Sequence, residues 1–131
     1  MSWDVFIQHL PASALCVADI PDDFTPLPLG SRADVLNAIL SVFPGTDTSD
    51  PTWLTFDGAS YSIEFGVGSA DLVTYIALHV RGDESAIPPI ALLIEQLQAR
   101  GLDSWTGEFF DPISACDSIR RWSEYVDGLT Q

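Results

Sequence analysis

Four side chains have the types and spacing to do chemistry together: Glu64, His79, Arg81 and Glu108. Each falls at an alternate position of a segment rich in β-formers, so all four can point to one side of a sheet. An imidazole beside a carboxylate is the usual pairing for general acid–base work. Two carboxylates with an imidazole can also hold a metal ion. A guanidinium adds bidentate recognition. Tyr75, Phe6 and Phe110 alternate onto the same side and supply contact area. The bland alternative is a solvated face whose charges pair across strands. A working site demands that residues from different strands converge, which spacing alone does not establish.

No stronger motif competes. The GxSxG, HExxH, P-loop and GxGxxG patterns do not occur, and Gly66-Val67-Gly68 reads as a strand end. Cys16 and Cys116 have no CxxC spacing, and with His9 and His79 they form no zinc pattern. Cys116 occupies an apolar helical position, the setting of an inert thiol. The acidic loops at Asp22-Asp23, Asp47 to Asp50 and Asp83-Glu84 lack the spacing of a calcium loop. The sequence therefore assigns no catalytic residue, metal ligand or cofactor. It leaves a ligand or partner face built from Glu64, Tyr75, His79, Arg81 and Glu108.

The elements that must position this face follow from periodicity. Trp3 to Leu10 alternates as a first strand with Trp3, Val5 and Ile7 inward. Prolines at 11, 21, 26 and 28 make the next stretch an extended connection, with room for a short helical turn around Ala14 to Ile20. Its apolar residues Leu15, Val17, Ile20, Phe24, Leu27 and Leu29 suggest packing against the body. Ser31 with Asp34 opens a helix whose face is Val35, Leu36, Ile39, Leu40 and Phe43, stopped by Pro44-Gly45. Trp53–Phe56, Tyr61–Val67 and Leu72–Arg81 read as an antiparallel meander. Ala86 to Arg100 reads as a second helix, with Pro88 and Pro89 in its first turn and Gly101 as its cap. Asp103 to Phe110 reads as a fifth strand. Asp111-Pro112 starts a third helix lined by Ile113, Cys116, Ile119, Trp122, Val126 and Leu129.

The order β-α-β-β-β-α-β-α predicts a single α+β domain over residues 1–131. Its sheet is five-stranded, antiparallel or mixed, with helices gathered mainly on one face. The other face would carry Asp4, Phe6, Gln8, Ser62, Glu64, Tyr75, His79, Arg81, Thr106, Glu108 and Phe110.

Composition constrains partners. Against 19 Asp and Glu there are 5 basic residues, all arginine, for a net charge of -14. A field of that sign repels phosphate backbones and anionic membranes and attracts basic proteins. The expected partner list is a basic protein, no nucleic acid and no membrane, with homo-oligomerisation through the aromatic face as a further outcome. The N-terminal Met-Ser-Trp-Asp lacks the basic and apolar regions of a signal peptide. The longest apolar stretch, Ala86 to Ile94, is too short to span a bilayer. A cytoplasmic setting with reduced cysteines follows as the expectation.

Several stretches also carry a resemblance: Ser2-Trp3-Asp4-Val5-Phe6, Ile20-Pro21-Asp22-Asp23-Phe24, Asp50-Pro51-Thr52-Trp53, Tyr61-Ser62-Ile63-Glu64-Phe65, Leu78-His79-Val80-Arg81-Gly82 and Thr106-Gly107-Glu108-Phe109-Phe110. Together they resemble a family of small, uncharacterised bacterial proteins, over most of the chain to about Phe110. The resemblance implies a bacterial cytosolic origin and brings no activity, cofactor or catalytic residue. In size and acidity the chain is also similar to bacterial immunity proteins, which neutralise toxin domains. The favoured expectation is a non-enzymatic, acidic, protein-binding module, immunity-like toward a basic toxin domain. The alternative is a small enzyme or ligand-binding protein working through Glu64, His79, Arg81 and Glu108.

Overall fold

In a computed structural model, described over residues 2–129, the chain is an α+β fold with one large antiparallel sheet. Strand β1, Trp3–Gln8, alternates in burial with its sequence: Trp3, Val5 and Ile7 are buried and Asp4, Phe6 and Gln8 are partly open. The proline-rich connection is irregular, with one 3-10 turn, Val17–Asp19, and turns closed by the Ala14 N–H on the Pro11 carbonyl and the Phe24 N–H on the Pro21 carbonyl. Asp19 holds that turn by accepting from the backbone N–H groups of Leu15 and Cys16 at 3.0 and 3.3 Å, which lowers its carboxyl below the ordinary range. The expected packing of this segment is only partial. Ala14 is buried, and Leu29 packs against the core, but Leu15 and Leu27 are 90% and 70% exposed.

Gly30–Ser31 (β2) leads into helix α1, Arg32–Val42. The Ser31 hydroxyl accepts from the Asp34 N–H at 3.2 Å, which caps the helix, and Val35 and Ile39 are buried. Next come β3, Trp53–Asp57, and β4, Tyr61–Gly66. The predicted strand over Leu72–Arg81 is broken in two. Leu72–Val73 (β5) pairs with β2 in a separate ribbon, and β6, Ile76–Gly82, enters the main sheet. Between them, Thr74 and Tyr75 belong to neither strand.

Helix α2 runs from Ile87 to Gln96, shorter than the predicted Ala86–Arg100. Gln98 adopts φ 51°, a left-handed turn that ends the helix before Arg100. Arg100–Asp103 is instead strand β7, and Gly101 lies in it. The glycine is needed for close packing: a Cβ there would stand 2.9 Å from Ile94 Cδ1 and 2.9 Å from Phe110 Cβ. The predicted strand over Asp103–Phe110 is likewise a tight hairpin, turning at Gly107 (φ 75°) into the two-residue strand β8, Glu108–Phe109. Helix α3, Pro112–Leu129, buries Ala115, Ser118, Ile119 and Trp122 at the spacing of one helical face. Ile113 and Leu129, expected on that face, are 85% and 60% exposed. Ile113 is two residues before Ala115, about 200° round the helix from it.

The sheet order is β3-β4-β6-β1-β7-β8, six strands rather than five and antiparallel throughout among the described residues. α2 touches both α1 and α3, and the three helices cover one face. Val5, Ile7, Leu54, Ile63, Phe65, Ile76, Leu78 and Val80 meet them with 0% exposure. The Phe43 ring at the end of α1 packs edge-on against Phe56 and Phe65, at 5.2 and 5.3 Å between centroids. Trp3 closes the other side. Its indole N–H is shared between Asp103 Oδ1 and Ser118 Oγ, both at 3.1 Å, which ties β1 to β7 and to α3.

Asp103 is 3% exposed and takes its other donor, at 2.9 Å, from the Trp105 backbone. Removing the indole donor leaves a buried carboxylate short of a hydrogen bond. Trp3→Phe should therefore lower stability by about 1–3 kcal/mol or more, measured by urea unfolding, with helix content unchanged.

Candidate functional site

The register places the open-face side chains in rows, because cross-strand partners share a face. One row is apolar and runs Trp53, Gly66, Ala77, Phe6, Leu102, Phe109 across all six strands. The next is polar and runs Thr55, Glu64, His79, Asp4. Arg81 sits one step further, opposite Ser62. The helix-side rows are buried through their centre, so these side chains are the ones the middle of the sheet presents to its surroundings.

Glu64, Tyr75, His79 and Arg81 are thus gathered on one face. Glu108 is not. It pairs with Asp103, whose side chain lies on the helix side, while Phe109 pairs with Leu102 and faces the open side. The turn before β8 resets the alternation, so a phase carried on from Asp103 is wrong by one residue. For the same reason Phe110 packs on the helix side, with its ring 6.5 Å from Trp3. Thr106 sits in the turn, where its hydroxyl accepts from the Glu108 N–H.

The polar groups on the face hold one another. His79 Nδ1 is 2.9 Å from Asp4 Oδ1. A carboxylate can only accept, so Nδ1 carries the proton of this bond. Arg81 donates to Glu64 at 3.3 Å. The groups form two separate pairs, one imidazole with one carboxylate and one guanidinium with another. Among the described residues no group of three or more His, Cys, Asp or Glu is gathered to hold a metal.

The rings are arranged more distinctively than the charges. Trp53 stacks on His79 with 5.3 Å between centroids and 22° between planes. Phe6 stacks on Tyr75 at 5.6 Å and 21°. Between the two stacked pairs lies a cleft of about 490 Å³. Its walls are Trp53 and Tyr75, and its floor is Gly66 and Ala77. The small floor is what opens it. Trp53 leans over Gly66 so closely that a Cβ there would be 3.0 Å from its ring.

Thr52, Val67, Gly68 and Ser69 close one end of the cleft. Arg32 fixes that end from α1. Its guanidinium donates to the carbonyls of Pro51, Gly68 and Ala70 at 2.6, 2.6 and 2.7 Å. The Thr52 carbonyl accepts from the N–H groups of Val67 and Gly68 at 3.0 and 3.2 Å, which stitches the two loops together. Asp50 accepts from the hydroxyl and the N–H of Thr52, and these bonds hold its carboxyl below the ordinary range.

Alternation in the sequence finds Glu64, Tyr75, His79 and Arg81. It misses Trp53, Gly66, Ala77 and Arg32. Trp53 was visible as a strand aromatic, but its face depends on pairing with Gly66. Small residues carry no chemical signal of their own, and Arg32 acts on backbone atoms remote in sequence.

Burial pushes the Tyr75 hydroxyl above its ordinary 10.0, and the negative charge of Asp4 adds to it. The folded state thus favours the neutral phenol, and whatever stability this contributes is lost as pH rises through the folded value. Asp4→Asn should bring the Tyr75 midpoint down without restoring the ordinary value, since burial is the larger cause. A pH titration of the Tyr75 ring signals by NMR reads this directly, and an unmoved midpoint would show that Asp4 does not act on the hydroxyl. No protein-family model, curated protein or solved structure matches this chain.

Proposed function

We propose that the chain is a binding module for a basic protein, which docks on the open face of the sheet beside the Trp53–Tyr75 cleft. The observation that carries this reading is a pair of part-exposed rings, Trp53 and Tyr75, on the apolar part of the open face in a chain whose arginines are all engaged within it. Arg32 and Arg100 donate to backbone carbonyls, and Arg100 also lies 3.5 Å over the Phe109 ring. Arg81, Arg120 and Arg121 pair with Glu64, Glu84 and Asp117. With 19 acids against these 5 cations, the outward field is anionic. Asp47, Asp50 and Asp83 keep their charge to lower pH than an ordinary aspartate, because neighbouring N–H and hydroxyl groups hydrogen-bond to them.

The parts act in sequence. The field steers a basic partner and raises its encounter rate. The aromatic row then supplies contact area that charge alone does not, since Trp and Tyr dominate interface energetics. Trp53 and Tyr75 are 41% and 40% exposed, so their faces are available without rearrangement. A toxin domain of basic character, met in a bacterial cytosol, is the partner class this chemistry fits. The same field disfavours nucleic acid and anionic membrane. No helix among the described residues is long and apolar enough to cross a membrane.

The test is a pull-down from the source cell with the native chain and with a Trp53→Ala, Tyr75→Ala double variant as baits. A basic protein should be retained at low salt and released as ionic strength rises. Its affinity for the double variant should fall by about tenfold or more, the loss typical of removing interface anchors. A partner held equally by both baits, or indifferent to salt, would remove this reading. So would recovery of no basic protein at all.

A further inference from the structure

The Trp53–Tyr75 cleft interrupts what is otherwise a line of stacked rings. On one side stand His79 and Trp53, on the other Tyr75 and Phe6, each pair within 22° of parallel. Trp53 shares its row with Gly66 and Ala77, and Tyr75 precedes Ala77 by two residues, so the two rings border the same small-residue floor. A flat group can stack about 3.5–4 Å from either ring. Gly66 lets the Trp53 ring lie close to the sheet, Ala77 keeps the rest of the floor low, and the Arg32 clamp fixes the end wall.

We propose that this cleft receives the guanidinium of an arginine side chain presented by the partner. The inference rests on the docking reading above and names the contact it turns on. Three properties select the occupant. A ring face suits a planar group, which the guanidinium is and an ammonium is not. The walls are aromatic faces, whose negative quadrupole attracts a cation. The surrounding charge is anionic, with Asp50 held ionised on the turn that ends at Thr52 and Asp4 close enough to act on Tyr75. No carboxylate lines the cleft among the described residues, so stacking rather than a bidentate ion pair does the recognising. The chain's own Arg32 binds the far side of the same loops through their carbonyls, and it leaves the ring faces unused.

The experiment is an NMR titration of the full chain, following backbone amides and indole N–H signals. The probes are N-acetyl-arginine methylamide and its citrulline counterpart, which has the same shape without the charge. The arginine probe should shift the Trp53 indole and the Gly66 and Ala77 amides saturably, with citrulline at least tenfold weaker. Tyr75→Ala should weaken the arginine probe several-fold, the loss expected for one cation–π wall at an exposed site. The unshifted Trp3 indole, buried between Asp103 and Ser118, reports that the fold is intact. Equal binding of citrulline, or no shift at the cleft, overturns the proposal. A concentration-dependent dimer that shifts the same signals without probe overturns it in favour of a second copy.

An arginine-rich peptide in the same titration separates the two levels. If it binds the open face in a salt-sensitive way while the cleft signals stay still, the cleft assignment falls and the docking reading stands. If it does not bind, both fall.

Discussion

Everything on the open face depends on the antiparallel lock of Ile76–Gly82 between Tyr61–Gly66 and Trp3–Gln8. The pairs Ile63 with Val80 and Val80 with Trp3 fix one side, and Glu64 with His79 and His79 with Asp4 fix the other. Side chains alternate with a period of two, so one register sets both faces at once. A one-residue slip would carry His79 and Arg81 into the helix layer and expel Leu78 and Val80. Burying those polar groups without partners costs several kcal/mol each, and exposing the aliphatic ones forfeits about 1.5–3 kcal/mol each. The open-face row is therefore held by the core row behind it. The open face is as rigid as the hydrophobic packing is strong, and Arg32 of α1 ties down the loops at its end.

The far half of the sheet is held differently. β7 and β8 are short and add little ladder, and Gly101 contributes no side chain to the core. Their attachment relies on the Trp3 indole bridging Asp103 and Ser118, and on Ile94 and Phe110 closing over Gly101. Arg100 adds a third tie on the opposite face by donating to the carbonyls of Pro11 and Ala14 and covering Phe109. The arginine thus anchors the long connection, whose apolar side chains largely fail to do so. The apolar row of the face continues over this half through Leu102 and Phe109, so these ties also fix how far the aromatic surface extends.

The fold was legible where one residue type decides a local outcome. Ser31 with Asp34 marks a helix start, and Pro44-Gly45 a stop. Strict alternation in Tyr61–Val67 marks a half-buried strand. It was illegible where a distant contact decides. Gly101 looks like a helix cap in sequence, and only its neighbours Ile94, Phe110 and Val5 make it a strand glycine. The segment Asp103–Phe110 has strand composition throughout, yet four residues of it are turn. That hidden reversal put Glu108 on the wrong side. The same limit governs the site. Periodicity assigns a side of a strand and says nothing of which strands adjoin, so His79 and Glu64 were visible singly while the gap over Gly66 and Ala77 was not.

In the proposed docking, charge and aromatic surface would divide the work of recognition between long and short range. Net charge acts over about 8–10 Å at physiological salt and cannot distinguish one basic partner from another. Discrimination requires contacts that operate only at touching distance, the part the proposal gives to the ring-lined cleft. The polar row makes those rings usable: Asp4 holds His79, and His79 stacks on Trp53, so the wall of the cleft stands in a fixed plane. Phe6 does the same for Tyr75 from the other side. A chain with free arginines on this face would place its own cations against its own rings. Arg100 does so with Phe109, whereas loop carbonyls hold Arg32 and Glu64 holds Arg81, and the proposed docking would bring an outside cation to Trp53 and Tyr75.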